Sequence, residues 1–236
     1  MKSENGLITL ITGTSRGIGR HLAEHYLQRG HFVIGASRTA PDIANEKYLH
    51  FAIDLSDGKA VQEMFNEIFK RFGYISHLIN NAGISSLNHF LFSSLDNVKK
   101  IMGVNFFATF QCCQEATRLM NTRKFGRIVN FSTIGIPLHS EGLATYVASK
   151  AAVEEFTRVL AKEVGPMGIT ANCIGPSMVD TDMARGVPGP RLKETIAQQA
   201  MKRESTAEDV ANVIDFFLSE KSEMISAQVI YLGGFS

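Results

Sequence analysis

A tyrosine and a lysine stand four residues apart in Thr145-Tyr146-Val147-Ala148-Ser149-Lys150. On a helix, that spacing projects both side chains from one face. A free phenol has a pKa of about 10 and exchanges protons poorly near neutrality. A neighbouring ammonium group stabilises the phenolate and lowers that value. Tyr146 with Lys150 is therefore a candidate general acid/base. Taken alone the pair is weak, because the same spacing arises by chance on solvated helix faces. A second stretch, Thr12-Gly13-Thr14-Ser15-Arg16-Gly17-Ile18-Gly19, carries three glycines. Glycines let a backbone approach a pyrophosphate, and a helix opening there supplies free N–H groups and a positive dipole end. Gly13, Ser15, Arg16, Gly17, Ile18 and Gly19 are thus candidate cofactor contacts, although their spacing departs from G-x-G-x-x-G.

The dinucleotide can be specified further. A site for NAD usually places an acidic residue at the end of the second strand, against the ribose 2′-hydroxyl. Here that place holds Ser37-Arg38, with Arg16 in the glycine turn nearby. Two guanidinium groups and a hydroxyl suit a 2′-phosphate, so the expected cofactor is NADP(H).

These residues need a scaffold, and the hydrophobic pattern supplies one. Short apolar runs at residues 7–11, 32–36, 48–53, 75–79, 127–131, 169–174 and 227–232 read as strands. Helical periodicity covers about 18–29, 58–72, 95–121, 146–164 and 205–218. Such alternation predicts a parallel sheet covered on both faces. The expected fold is a single-domain α/β Rossmann fold over residues 1–236, a doubly wound seven-stranded parallel sheet with helices on both faces. Only a loop or one helical turn is expected between Ser37 and Asp54, where Pro41-Asp42 is turn chemistry.

Composition bounds the rest. The chain has 236 residues, 44% of them hydrophobic, 20% charged, with net charge +1. That describes a globular protein with no electrostatic cause to bind nucleic acid or a membrane surface. The three cysteines, Cys112, Cys113 and Cys173, have neither disulfide-framework nor metal-ligand spacing, and no metal is expected. They read as buried thiols in a reducing, cytoplasmic setting. No signal segment or membrane span is apparent.

Taken together, the motifs identify a resemblance to the short-chain dehydrogenase/reductase family over essentially the whole length. Its glycine motif matches Gly13, Gly17 and Gly19, and its Asn-Asn-Ala-Gly motif matches residues 80–83. Its active-site asparagine matches Asn105, and its Tyr-x-x-x-Lys pair matches Tyr146 and Lys150. The family's catalytic serine lies 13 residues before the tyrosine, which selects Thr133 here, with Ser132 as the fallback. The resemblance further implies Asp54 and Leu55 beside the adenine, and Asn80, Ala82 and Gly83 along the cofactor. It places Pro176, Val179 and Thr181 near the nicotinamide and a substrate lid over about 180–200. Gly186-Val187-Pro188-Gly189-Pro190 supports a flexible loop there.

Within the family, the chain looks most like the 3-oxoacyl-acyl-carrier-protein reductases of fatty acid biosynthesis. The implied activity is NADPH-dependent reduction of a ketone, such as a 3-oxoacyl thioester, to a secondary alcohol. Tyr146 would be the proton donor, assisted by Thr133, Lys150 and Asn105. Asn105 is expected to hold a water. An acyl carrier protein would dock through basic residues near the pocket mouth. Lys124 beside Arg123 fills one such place; Met167 stands in the other. Another ketone or secondary alcohol in a specialised pathway is the alternative substrate, and a non-catalytic cofactor-binding regulator is a third reading. The resemblance also implies a homotetramer, to which Phe106, Phe107, Phe110 and Cys113 on the long helix could contribute apolar surface.

Overall fold

The computed structural model describes residues 6–180, 185 and 189–235. Seven strands form one parallel sheet: β1 Ile8–Thr12, β2 Phe32–Ser37, β3 Tyr48–Ala52, β4 His77–Asn80, β5 Gly126–Phe131, β6 Ile169–Gly175 and β7 Val229–Tyr231. Their order is β3-β2-β1-β4-β5-β6-β7. Every neighbouring pair is parallel. The central strands are apolar on both faces because helices cover both; β1, β4, β5 and β6 are buried at every position.

The helices are α1 Gly17–Gln28, α2 Gly58–Phe72, α3 Leu95–Met102, α4 Ala108–Asn121, α5 Ala144–Val164, α6 Gly189–Gln198 and α7 Ala207–Leu218. One core lies under α2, α4 and α5, with Phe65, Ile68, Cys112 and Met120 at its centre. The other lies under α1 and α7, around Leu22, Tyr26, Ile214 and Phe217. Local signals set the helix ends. Asp57 accepts from the backbone N–H groups of Lys59 and Ala60 at the start of α2, and Gly73 closes it at φ +73°. Thr206 and Asp209 form a reciprocal capping box on α7.

The predicted fold is observed, with three differences in detail. The helix expected over 95–121 is interrupted by a π-helical turn at Gly103–Phe107. β7 is shorter than expected, since Ala227 sits at φ +62°, outside the extended region. α6 occupies part of the stretch read as a flexible lid, and Gly189-Pro190 open it, as proline can in a first helical turn. Ser37 is followed by irregular chain up to β3, as its length and Pro41 predicted. Among the described residues, no helix is long and apolar enough to cross a membrane.

Candidate active site

Strand order reverses between β1 and β4, which opens a crevice at the carboxyl ends of the sheet. The glycine turn leaves β1 on one side of it and Asn81-Ala82-Gly83 leave β4 on the other. Their contact requires glycine. Gly13 lies at φ +78°, and a Cβ there would sit 2.9 Å from the Cα of Ala82; one on Gly19 would meet the Gly13 carbonyl at 2.2 Å. Asn81 ties the two loops, its Nδ2 donating to the carbonyls of Thr12 at 3.0 Å and Gly13 at 3.2 Å. The Ala82 N–H donates to Thr12 Oγ1. This close approach leaves the start of α1 open at Ser15, Gly17 and Ile18. A cavity of about 440 Å³ adjoins it, lined by Gly17, Ile18, Val179, Asp180, Glu204 and Ser205 among others.

At the end of β2, buried Ser37 donates from Oγ to the Thr39 carbonyl. Arg38 follows it and is exposed, as is Arg16 at the start of α1. Asp54, also exposed, accepts from Ser56 through its N–H and Oγ, which holds the carboxyl below the usual range, with smaller help from Arg38 and Lys100.

The second half of the crevice gathers four elements. The turn after β5 carries Thr133, and α5 brings Tyr146, Ser149 and Lys150. The π turn brings Asn105, and the chain after β4 brings Gly83. Asn105 is fully buried. Its Oδ1 accepts from the Ile84 N–H at 2.9 Å, while Nδ2 donates to the Ile84 carbonyl and to Ser149 Oγ. Ser149 Oγ in turn donates to the Tyr146 carbonyl at 2.7 Å. A Cβ on Gly83 would lie 3.4 Å from Asn105 Oδ1 and 3.5 Å from Lys150 Nζ, so a bare backbone keeps this corner accessible. Lys150 Nζ donates to the Phe131 carbonyl at 2.8 Å, and burial lowers its pKa to about 8.

Burial also raises the pKa of Tyr146, against which a hydrogen bond with the Thr133 hydroxyl acts in the lowering direction. Here the expected order of effects is corrected. Desolvation dominates over any help from Lys150, whose ammonium group is turned to the Phe131 carbonyl. The two candidate hydroxyls are clearly separated. Thr133 Oγ1 accepts from the Gly135 N–H at 3.1 Å and meets Tyr146. Ser132 Oγ is buried and donates to Glu154 instead.

Several expected contacts fall elsewhere. Asn80 is buried and donates to Asn130 Oδ1 at 2.8 Å and to Cys113 Sγ. Leu55 is a core residue. The side chain of Asn105 has its donors committed to protein, so an expected water would have to use other atoms. Pro176 accepts from the Ile134 N–H through its carbonyl, and Val179 is buried in a bridge to Ser205. Thr181 lies outside the described residues, as do 182–184 and 186–188 of the expected lid. Cys113 is buried rather than offered to a partner, and all three thiols are free. Lys124 and Arg123 precede β5, at the far end of that strand from Thr133; the six-residue strand between them spans roughly 20 Å at 3.3 Å per residue. Lys124 pairs with Asn121, and Arg123 stacks on Tyr74.

Residues 13–236 match the family model described as "Enoyl-(Acyl carrier protein) reductase". A 3-oxoacyl-[acyl-carrier-protein] reductase of Buchnera aphidicola subsp. Schizaphis graminum is 33% identical over 231 residues, 95% of each chain. The ligand-free aldohexose dehydrogenase of Thermoplasma acidophilum superposes with a TM-score of 0.88 at 29% identity, over 98% of this chain and 94% of that one. A 4-hydroxyisoleucine dehydrogenase complexed with NADH gives 0.85 at 27% identity, over 98% and 99%. The chain belongs to the short-chain dehydrogenase/reductase family, whose members are nicotinamide-dependent oxidoreductases acting on CH–OH groups.

Proposed function

We propose that the protein reduces a ketone to a secondary alcohol with NADPH, and that its substrate is a 3-oxoacyl thioester. The observation that carries the reading is a linked set: Asn105 and Lys150 meet at the bare backbone of Gly83, Asn105 reaches the Tyr146 carbonyl through Ser149, and Tyr146 meets the Thr133 hydroxyl. The glycine turn fits a dinucleotide, since Gly13 and Gly19 admit no Cβ and the open end of α1 faces a cavity. When bound, the nicotinamide supplies the hydride. Gly13, Ser15, Gly17, Ile18 and Gly19 would hold the pyrophosphate. Ala82 and Gly83 would flank the path to the nicotinamide, with Val179 beyond.

The protein's own part is proton supply and placement. Raised by burial, Tyr146 keeps its proton near neutrality, as an acid for reduction must. Thr133 Oγ1 already accepts from Gly135, so its hydrogen is available to the substrate oxygen beside the Tyr146 hydroxyl. Lys150, with a pKa near 8, is a cation poised to return a proton and to bind the ribose. Asn105 fixes Ile84 and Ser149, and through them the backbone at Gly83 and Tyr146.

Arg38 at the end of β2 and Arg16 in the glycine turn, with no acidic side chain in the place of Ser37, support NADPH over NADH. With a saturating ketone, kcat/KM for NADPH should exceed that for NADH, and Ser37→Asp should reverse or erase the difference. Equal values in the wild type overturn the preference. A panel containing a 3-oxoacyl thioester, a keto sugar and a keto acid decides the substrate. The second reading, a different ketone or secondary alcohol, is favoured by the comparable likeness to the aldohexose dehydrogenase and by the distance of Lys124 from Thr133. The lid over residues 180–200 and a homotetramer complete the proposal. Phe107 and Phe110 are 59% and 44% exposed on the face where Phe106 packs on Phe156 of α5, a surface suited to a second copy. A monomeric mass by light scattering at micromolar concentration would refute it.

A further inference from the structure

We infer that His21 and His25 of α1 and Glu208 of α7 form a binding site for a divalent transition-metal ion of the zinc class. The two histidines stand at i and i+4, so their rings leave one face of α1; the ring centroids are 6.1 Å apart. Glu208 meets them from the first turn of α7. One ligand atom from each of the three lies within 4.8 Å of the other two. His21 Nε2 is 3.3 Å from Glu208 Oε2. Tetrahedral coordination at about 2.0–2.1 Å separates neighbouring ligand atoms by about that much. Yet this ring nitrogen, itself shielded from solvent, makes no hydrogen bond. Its position suits a shared ion better than an N–H donated to the carboxylate.

The ligand chemistry selects the ion. Two imidazoles and one carboxylate suit zinc, nickel or copper, whereas magnesium and calcium take oxygen ligands. Three protein ligands leave one position for water. A supporting shell is present. His25 Nε2 lies 3.1 Å and 3.2 Å from the two carboxylate oxygens of Asp215, which also accepts from Tyr26 and Arg29. A carboxylate behind a ligating histidine orients it and raises its basicity. His25 Nδ1 faces Arg29 Nη1 at 3.0 Å. Because guanidinium only donates, loading exchanges one hydrogen bond of His25 for a metal bond. Arg29 is half exposed and keeps a second bond to Asp215 through Nη2, so it is the partner able to leave.

Such an ion would clamp α1 to α7 next to the cofactor crevice. His21 follows Gly17 by one turn, and Glu208 follows Ala207; both Gly17 and Ala207 line the crevice cavity. The inference does not depend on the proposed reaction. Sequence alone carries little sign of such a site, because the third ligand is 183 residues beyond His25.

The test is calorimetric titration of the full chain, stripped with chelator, with Zn²⁺ above neutral pH, and with Co²⁺ read by visible absorption. We expect one ion per chain, a thermal midpoint that rises with Zn²⁺ concentration, and the strong d–d bands of four-coordinate Co²⁺. His21→Asn and Glu208→Gln, both changes of partly exposed side chains, should each weaken binding at least about tenfold, and Asp215→Asn by about 10–100-fold. Absence of binding, or binding unchanged in the His21→Asn and Glu208→Gln variants, overturns the site.

Discussion

The two edges of the sheet bury titratable groups in different surroundings. At the carboxyl edge Lys150 is buried and its pKa falls to about 8. At the amino edge His31 and His77 are buried and fall to about 4 and about 3. Desolvation is the leading cause at both edges. What surrounds the groups differs. At the amino edge the partners close on one another: Thr9 Oγ1 bridges the Nδ1 atoms of His31 and His77 at 2.9 Å and 3.1 Å. Tyr26 stacks on His31, and Arg127 is held by the carbonyls of Gly126, Gly168, Ser219 and Glu220. At the carboxyl edge, glycines leave backbone bare, and the hydrogens of Thr133 and Tyr146 can turn to a substrate. A shifted pKa therefore marks burial, and it marks a site only where the polar groups converge on accessible space.

The sharpest way to break this comparison is to remove the proton donor. Tyr146→Phe should reduce turnover by about 10²–10⁴-fold, while dinucleotide binding, measured by fluorescence titration, stays near wild type. Thr133→Val keeps the shape and loses the hydroxyl, for roughly 10²–10³ in kcat. Thr133→Ser should retain activity. If Tyr146→Phe keeps more than about a tenth of wild-type turnover with chemistry rate-limiting, the carboxyl edge is no more catalytic than the amino edge.

How much of this could be read in advance follows from range. The sheet was legible because a strand buried on both faces is an unbroken apolar run, as in residues 127–131. The glycine turn was legible because its glycines are local and consecutive with β1. Thr133 came from the family resemblance, which implies a hydroxyl 13 residues before the tyrosine, and its hydroxyl lies beside Tyr146. The partner of Lys150 was not legible, since a backbone carbonyl 19 residues away leaves no residue-type signature. Nor was the π turn, which any apolar helical stretch can absorb. The loop-tying role of Asn81 was not legible either, because its motif has two adjacent amides of the same type. Glu154 could have been noticed: it stands one turn after Lys150 on a face that must be buried.

At the amino edge, acid should be the perturbant. His77 has a folded pKa near 3 against about 6.5 unfolded. Between those values the unfolded chain binds the extra proton, so stability falls as pH drops below about 6.5. The slope approaches about 1.4 kcal/mol per pH unit for this one histidine. His31 adds in the same direction. Urea midpoints from pH 7.5 to 5 should show the decline, and His77→Asn should flatten it. A flat wild-type profile across that range would mean that these rings take up protons without unfolding.

The smallest effect on turnover is expected at Ser132, although it neighbours Thr133. Its hydroxyl points away from the crevice and donates to Glu154, whose Oε1 also accepts from Tyr231 at 2.6 Å and whose Oε2 meets Arg158 at 3.4 Å. Ser132→Ala removes one donor from a buried carboxylate. Such a loss costs about 1–3 kcal/mol, or roughly 2–4 °C in melting temperature for each kcal/mol in a chain of this size. Turnover should remain near wild type, because Tyr231 and Arg158 still hold Glu154. The change is thus one of stability at a position adjacent in sequence to a change of rate. A large fall in kcat for Ser132→Ala, with near-normal activity in Thr133→Val, would exchange the roles of the two hydroxyls and move the substrate oxygen to the Glu154 side of β5.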